Sequence, residues 1–151
     1  MNLVQCGRAL LALIAASHVV VPVVMLADPD PTRRQVIADH PQFDAATVTA
    51  SVDAALVAAA VFHGLLFALA ALLIWRLPTG RPWTRRLATV SQLLSVAFGV
   101  VSWSSSPQFH AVIPIVSAAE AAVVLLLWLP RSSRAFFARH RTPAPALTTT
   151  A

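Results

Sequence analysis

Four long apolar stretches, separated by short polar segments, dominate the pattern of residues along the chain. Each approaches or exceeds the roughly 17 to 25 residues that a helix needs to cross a hydrocarbon core about 30 Å thick. Apolar residues make up 58% of the 151-residue chain and charged residues only 11%, which is more apolar than a soluble core of that size requires. The pattern predicts an all-α integral membrane protein, a four-transmembrane-helix bundle with spans at about 9–27, 54–75, 87–104 and 111–129.

The first apolar stretch has a second interpretation, a secretory signal, since Arg8 precedes it and residues 15–17 resemble a cleavage site. Its apolar run, from Ala9 to Ala27, is longer than the core of a typical signal, which favours an uncleaved first helix. Cys6 is the only cysteine, so an internal disulfide and a cysteine-based metal cluster are excluded.

The positive charge of the chain is a topology signal. Its net charge of +5 comes entirely from arginine, and most arginines lie between the second and third predicted spans or after the fourth. Positively charged segments stay cytoplasmic, so both termini and the 76–86 segment are predicted inside a multi-pass protein of the cell (cytoplasmic) membrane. The expected partner of these arginines is a bilayer with anionic headgroups, and not nucleic acid.

The segment between the first two spans, residues 28–53, is predicted to be external and to contain a short helix. Asp30 is expected to cap that helix and Pro41 to end it. Asp44 is expected to cap a second helix that runs unbroken from Ala45 into the second span, with Asp53 near the outer boundary. Residues 1–141 are thus one transmembrane domain, and residues 142–151 are predicted to be a disordered cytoplasmic tail.

Aromatic and basic residues flank the predicted spans where interfacial anchors occur. Phe136 and Phe137 are expected in the acyl boundary, with the neighbouring arginines on headgroups. The predicted anchors are Trp75, Arg76, Arg81, Trp83, Arg85, Arg86, Arg131, Arg134, Phe136 and Phe137.

Polar residues near the midpoints of the four spans fall at one predicted depth. His18, His63, Ser95 and Glu120, one from each span, lie within about 2 Å of the same level at a rise of about 1.5 Å per residue. Charged groups facing lipid are costly, so these side chains are expected to point inward at one another. The predicted midplane cluster comprises His18, His63, Ser91, Gln92, Ser95, Ser117 and Glu120, and small residues predicted to pack the helices are Ala60, Gly64, Ala68 and Gly99.

Three functions remain open for this cluster. If it only fixes helix register, the protein is a non-enzymatic accessory or interaction subunit, as a homo-oligomer or in a larger membrane complex. Alternatively, it is the protonatable site of a proton-coupled small-solute carrier or pore. In a third hypothesis, His18 and His63 bind a b-type haem; otherwise no cofactor and no metal site are predicted. Neither a Ser-His-Asp order nor an H-E-x-x-H helix occurs, so no enzyme is predicted.

The sequences "WRLPTGRPWTRR" and "LWLPRSSRAFF" resemble those of a group of small, uncharacterised four-helix membrane proteins of high-GC actinobacteria. Eight residues match the interfacial pattern of that group: Trp75, Arg76, Gly80, Arg81, Trp83, Pro130, Phe136 and Phe137. The resemblance implies the four-helix fold and its topology, and it implies no activity.

Overall fold

The computed structural model describes residues 3–139, and in this range the chain is helical with no strand. The prediction of a disordered tail at 142–151 lies outside the described residues. Two three-residue 3-10 turns, Leu77–Thr79 and Pro107–Phe109, lie in the connections between long helices. The six helices are α1 (Leu3–Ala27), α2 (Asp30–Asp39), α3 (Ala45–Arg76), α4 (Pro82–Ser105), α5 (Val112–Trp128) and α6 (Arg131–Arg139).

Three helices, α1, α3 and α4, are each long and apolar enough to cross a membrane. The fifth helix, α5, has 17 residues and qualifies only together with α6, from which it is separated by a bend of 63° at Leu129–Pro130. The predicted all-helical class, with three to four helices of spanning length, is therefore confirmed.

The start of α3 agrees with its prediction. The Asp44 carboxylate accepts the backbone N–H of Thr47 at 2.7 Å, as an N-cap does, and α3 then runs unbroken for 32 residues. A helix of that length spans about 48 Å at about 1.5 Å per residue, well beyond a hydrocarbon core of about 30 Å. This helix is therefore longer than a single membrane span requires.

The start of α2 differs from its prediction. Asp30 is the first helical residue and not the cap, and the cap position is held by Pro29, which makes no side-chain hydrogen bond there. The Asp28 carboxylate instead accepts the backbone N–H of Asp30 at 3.2 Å. The helix begins one residue earlier because Asp28 supplies the acceptor that Asp30 was expected to provide. It ends at Asp39, before Pro41, as expected.

The long helices run alternately up and down, so their ends gather at two poles. We call the pole with Arg8, Arg76 and Arg81 the arginine end, and the pole with residues 28–44 and the Pro107–Phe109 turn the acidic end. Helix α1 packs against both α3 and α5, α5 also packs against α4, and α2 lies against α3. The connection from α3 to α4 turns at Gly80, whose φ of 67° is left-handed and suits a residue without a Cβ.

The hydrophobic core lies in the half of the bundle nearer the arginine end. There the Arg8 guanidinium donates to the Ile74 carbonyl at 3.0 Å, which ties α1 to the last turn of α3. The acidic half contributes none of the buried residues that form this core. The core residues are Val4, Leu11, Ile14, Leu73, Leu77, Ala88, Val123, Leu127 and Phe137.

The position of α6 corrects the prediction that both of its phenylalanines lie in the acyl boundary. Phe137 is only 1% exposed and belongs to the core, while Phe136 is half-buried against it. The Ser133 hydroxyl donates to the Leu126 carbonyl at 2.8 Å, one of the last carbonyls of α5. The bend after α5 therefore folds α6 back so that its apolar face closes the arginine end of the bundle.

Candidate functional site

A cavity of about 480 Å³ occupies the half of the bundle nearer the acidic end. It reaches that end at Ser106 and Phe109, and its inner end lies where the core begins. Apolar side chains form most of its walls. The four long helices all contribute: Ser17, His18, Val21 and Met25 from α1, Ala58, Ala59, Phe62, His63 and Leu66 from α3, Ser95, Phe98, Gly99 and Ser102 from α4, and Val112, Ile113, Val116, Ser117 and Glu120 from α5.

The two predicted histidines contact each other at the inner end of this cavity. Nδ1 of His18 lies 3.1 Å from Nδ1 of His63, and the ring centroids are 5.3 Å apart. One Nδ1 must donate its proton and the other must accept it, so the two rings are in opposite tautomers when both are neutral. The accepting ring is neutral by necessity, and the pair carries at most one positive charge.

Glu120 is the most deeply buried ionisable residue of the cavity wall. It is 1% exposed, and its Oε1 atom has no hydrogen-bond partner. The Ser95 hydroxyl lies beside the Glu120 carboxyl group, between α4 and α5. An unsatisfied buried carboxyl oxygen is costly, so this atom calls for an explanation.

The remaining residues of the predicted cluster divide into two groups. Ser95 and Ser117 line the cavity with Glu120, whereas Ser91 and Gln92 are buried outside it, without lining its wall. The Gln92 amide donates to the Ser91 hydroxyl at 3.1 Å, and its Oε1 atom is buried without a partner. The polar cluster is therefore extended along α4 and is not one compact knot of side chains.

The small residues predicted to pack the helices also differ among themselves. A Cβ added at Gly99 would lie 3.4 Å from Ile113 and 3.6 Å from Ser117, so Gly99 does bring α4 close to α5. Gly64 does not pack in this way, because an added Cβ would meet nothing within 4 Å, and Ala68 is likewise exposed while Ala60 is half-buried. The expected packing face of α3 at Gly64 therefore points out of the bundle.

The predicted interfacial anchors lie mostly at the arginine end. Trp75 and Trp83 are 67% and 42% exposed, and the Arg76 guanidinium stacks over the Trp75 ring at 4.2 Å. Arg85 differs, because its guanidinium lies 3.9 Å above the Trp128 ring and is half-buried against α6. The exposed arginines of the predicted set are Arg81, Arg86, Arg131 and Arg134.

The described residues contain no group of three or more His, Cys, Asp or Glu side chains placed to hold a metal ion. Two axial bonds of about 2 Å each would need the histidine nitrogens about 4 Å apart, with a macrocycle between the rings. His18 and His63 touch directly at 3.1 Å, so haem binding would require the rings to separate. The haem hypothesis stays a prediction.

Sequence reasoning did not identify the aromatic part of the cavity wall. Phe62 and Phe98 contact each other across α3 and α4 with ring centroids 4.1 Å apart, and Phe62 also meets the edge of His63. Their spacing offered a weak signal, since each lies within one turn of a residue of the predicted cluster. Apolar residues occur on every side of these helices, so that signal could not be separated from ordinary lipid-facing residues.

The fold and the cavity together define an all-helical protein whose spanning-length helices surround a polar inner site. Comparisons with known protein families, with curated proteins and with solved structures found no match to this chain. The resemblance to small actinobacterial membrane proteins therefore stays a prediction.

Proposed function

We propose that this protein is a small integral membrane carrier that binds a solute in its cavity and couples the solute to a proton held at Glu120 and the histidine pair. In this proposal α1, α3, α4 and the bent pair α5 and α6 provide four spans in the cell membrane. Both ends of the chain lie on the cytoplasmic side, because the arginine end carries most of the positive charge. The cavity then faces outward.

One observation supports this function over a purely structural role for the cluster: the cavity of about 480 Å³ ends on a buried carboxyl group with an unpartnered oxygen. If the cluster only fixed helix register, both oxygens of the Glu120 carboxyl group would be expected to have hydrogen-bond partners, and side chains would be expected to fill the space beside it. Cavities of about 300–1,000 Å³ with apolar walls and a few convergent polar groups are typical of small-molecule sites.

The packing asymmetry also favours a carrier over an open pore. The core closes the half of the bundle nearer the arginine end, with Leu11, Leu73, Val123 and Leu127 all 0% exposed. A continuous water-filled pore would need polar or open space through that layer. The core therefore closes the cavity toward the arginine end, and transport requires this closed half to rearrange.

The test is solute-driven proton movement in vesicles that contain the purified protein and an internal pH indicator. Small quaternary ammonium ions, neutral amides and carboxylates are applied outside, one class at a time. We expect at least one class to change the internal pH in wild-type vesicles, and we expect Glu120→Gln to abolish that change. Ser104→Ala, an exposed position that does not line the cavity, is the matched control and should behave as wild type.

The proposal fails if no class moves protons in wild-type vesicles, or if Glu120→Gln moves them equally well. An accessory or interaction subunit is the second candidate, and the outward position of Gly64 on α3 favours it. A glycine with open space beside it lets the backbone of another helix approach closely, in a second copy or in a larger membrane complex.

A further inference from the structure

We propose that the solute is a monovalent organic cation with an apolar body, such as an ammonium compound, held by Glu120 at the inner end of the cavity. This inference rests on the proposed function, because it names the chemical class of solute that the same cavity takes. It follows from the charged groups in the cavity wall, from the apolar and aromatic side chains that line the cavity, and from the net charge at its entrance.

The charged groups of the wall favour a cation over an anion. Among residues 3–139, Glu120 is the only acidic residue that lines the cavity, and no arginine lines it. The chain contains no lysine. The histidine pair carries at most one positive charge, because its Nδ1 atoms share a single hydrogen bond. A carboxylate solute would have to approach the buried acid without an arginine or lysine to compensate it.

The acceptors at the inner end suit one N–H donor group. Glu120 lines the inner end of the cavity, where its two carboxyl oxygens are acceptors, and rotation of the side chain would bring the buried, unpartnered Oε1 atom to a donor. These acceptors are few. A divalent metal ion such as Ca²⁺ requires about six to eight oxygen ligands, whereas an ammonium group needs three acceptors at most.

The walls above Glu120 suit the apolar body of such a cation. Phe62, Phe98 and Phe109 line the cavity, and their rings can face a positive charge as well as an apolar group. A hydrated inorganic cation would gain little from these walls. The volume of about 480 Å³ accommodates a single aromatic or branched aliphatic group with its ammonium head.

The entrance of the cavity adds a long-range preference of the same sign. Residues 28–44 at the acidic end contain four aspartates and two arginines, and the 104–110 segment contains no Asp, Glu, Lys or Arg. Net negative charge around an opening raises the local concentration of cations and lowers that of anions. Charge at the entrance and charge at the inner end therefore select the same class of solute.

The test compares three probes that share one apolar body and differ only in charge: phenethylamine, which is a cation at neutral pH, phenethyl alcohol and phenylacetate. Binding to the full chain in nanodiscs is measured by calorimetry, with empty nanodiscs as the control for partition into lipid. We expect the amine to bind at least about tenfold more tightly than the alcohol, a difference near 1.4 kcal/mol. We expect no saturable binding of phenylacetate.

Glu120→Gln should remove the preference for the amine and leave the alcohol unaffected, because the amide keeps the size of the side chain and loses the negative charge. If this variant does not fold, the charge series on the wild-type protein decides the question alone. The inference is overturned if the alcohol binds as tightly as the amine, if phenylacetate binds more tightly, or if none of the probes binds. Protons that move with a neutral or anionic solute would contradict the cation class and leave the proposed carrier function intact.

Discussion

At the scale of single residues, Asp44 shows how one side chain fixes where a helix begins. Its carboxylate accepts the Thr47 N–H at 2.7 Å, and hydrogen bonds from Thr47 lower the pKa of Asp44 below its ordinary value of 3.8. A carboxyl whose pKa is lowered by folding stabilises the helix at pH values above that ordinary value. The stabilisation is lost as the pH falls through the lowered pKa.

We therefore predict that Asp44→Ala frays the first turn of α3. Amide exchange at Thr47 at neutral pH should become about fivefold faster, as expected for the loss of an N-cap acceptor. Asp44→Asn is the matched variant: its amide oxygen still caps the helix, but protection at Thr47 should no longer decrease below pH 4, about the ordinary pKa of an aspartate. Equal exchange rates at Thr47 in wild type and Asp44→Ala would show that the cap has no influence on this turn.

Residue-scale reasoning from the sequence succeeded where the rule was local. The Asp44 cap depends on four consecutive residues, and the contact between His18 and His63 depends on depth, which the fixed rise of a helix determines. The direction in which a residue points around the helix axis is not local. The prediction that Gly64 packs against a neighbouring helix was therefore wrong. In a helix that is apolar on every side, the sequence does not distinguish the face toward lipid from the face toward a neighbour.

At the scale of elements, the bend between α5 and α6 decides the character of the C-terminal helix. Alone, α6 has arginines on one side and two adjacent phenylalanines, which is typical of a helix on a membrane surface. In the structure the bend of 63° carries Phe137 into the core, where the Arg85 guanidinium lies 5.1 Å from its ring. The sequence could not show this, because the angle after Pro130 depends on the cleft left by α1, α4 and α5.

We predict that Phe137→Ala releases α6 from the bundle. Replacement of a fully buried phenylalanine typically costs about 3–5 kcal/mol, so the docked state of α6 should be strongly weakened. Trypsin cleavage at Arg131 and Arg134 in detergent should then be at least about tenfold faster than in wild type. Phe136→Ala, at the half-buried neighbour, is the comparison and should have a smaller effect. Unchanged cleavage of Phe137→Ala would show that α6 is held by other contacts.

At the scale of the whole molecule, the bundle is densely packed at one end and hollow at the other. The core holds α1, α3, α4, α5 and α6 together at the arginine end, while the same helices leave a cavity of about 480 Å³ toward the acidic end. The sequence predicted a polar cluster at mid-depth but not this cavity, because empty space results from how far the helices separate. Neighbours distant in the chain set that separation, as Gly99 does when it admits Ile113 and Ser117.

This asymmetry and the proposed topology lead to one labelling experiment on intact cells, with Cys6→Ser as the background. A membrane-impermeant maleimide should label Gln108→Cys, in the exposed turn at the acidic end, and should label Thr79→Cys only after the cells are permeabilised. The same reagent should enter the cavity and reach Ser102→Cys. It should label Val101→Cys, at a position that is 70% exposed and faces away from the cavity, roughly tenfold more slowly, because a thiol in lipid meets neither water nor the reagent.

The two halves of this experiment separate two claims. Labelling of Thr79→Cys in intact cells would show that the proposed topology is wrong, whatever the result at Ser102→Cys. Equal labelling of Ser102→Cys and Val101→Cys, with the turns behaving as expected, would mean that the cavity is not open to external water. A solute could then reach Glu120 only from within the membrane, between α3 and α4, where Phe62 and Phe98 meet.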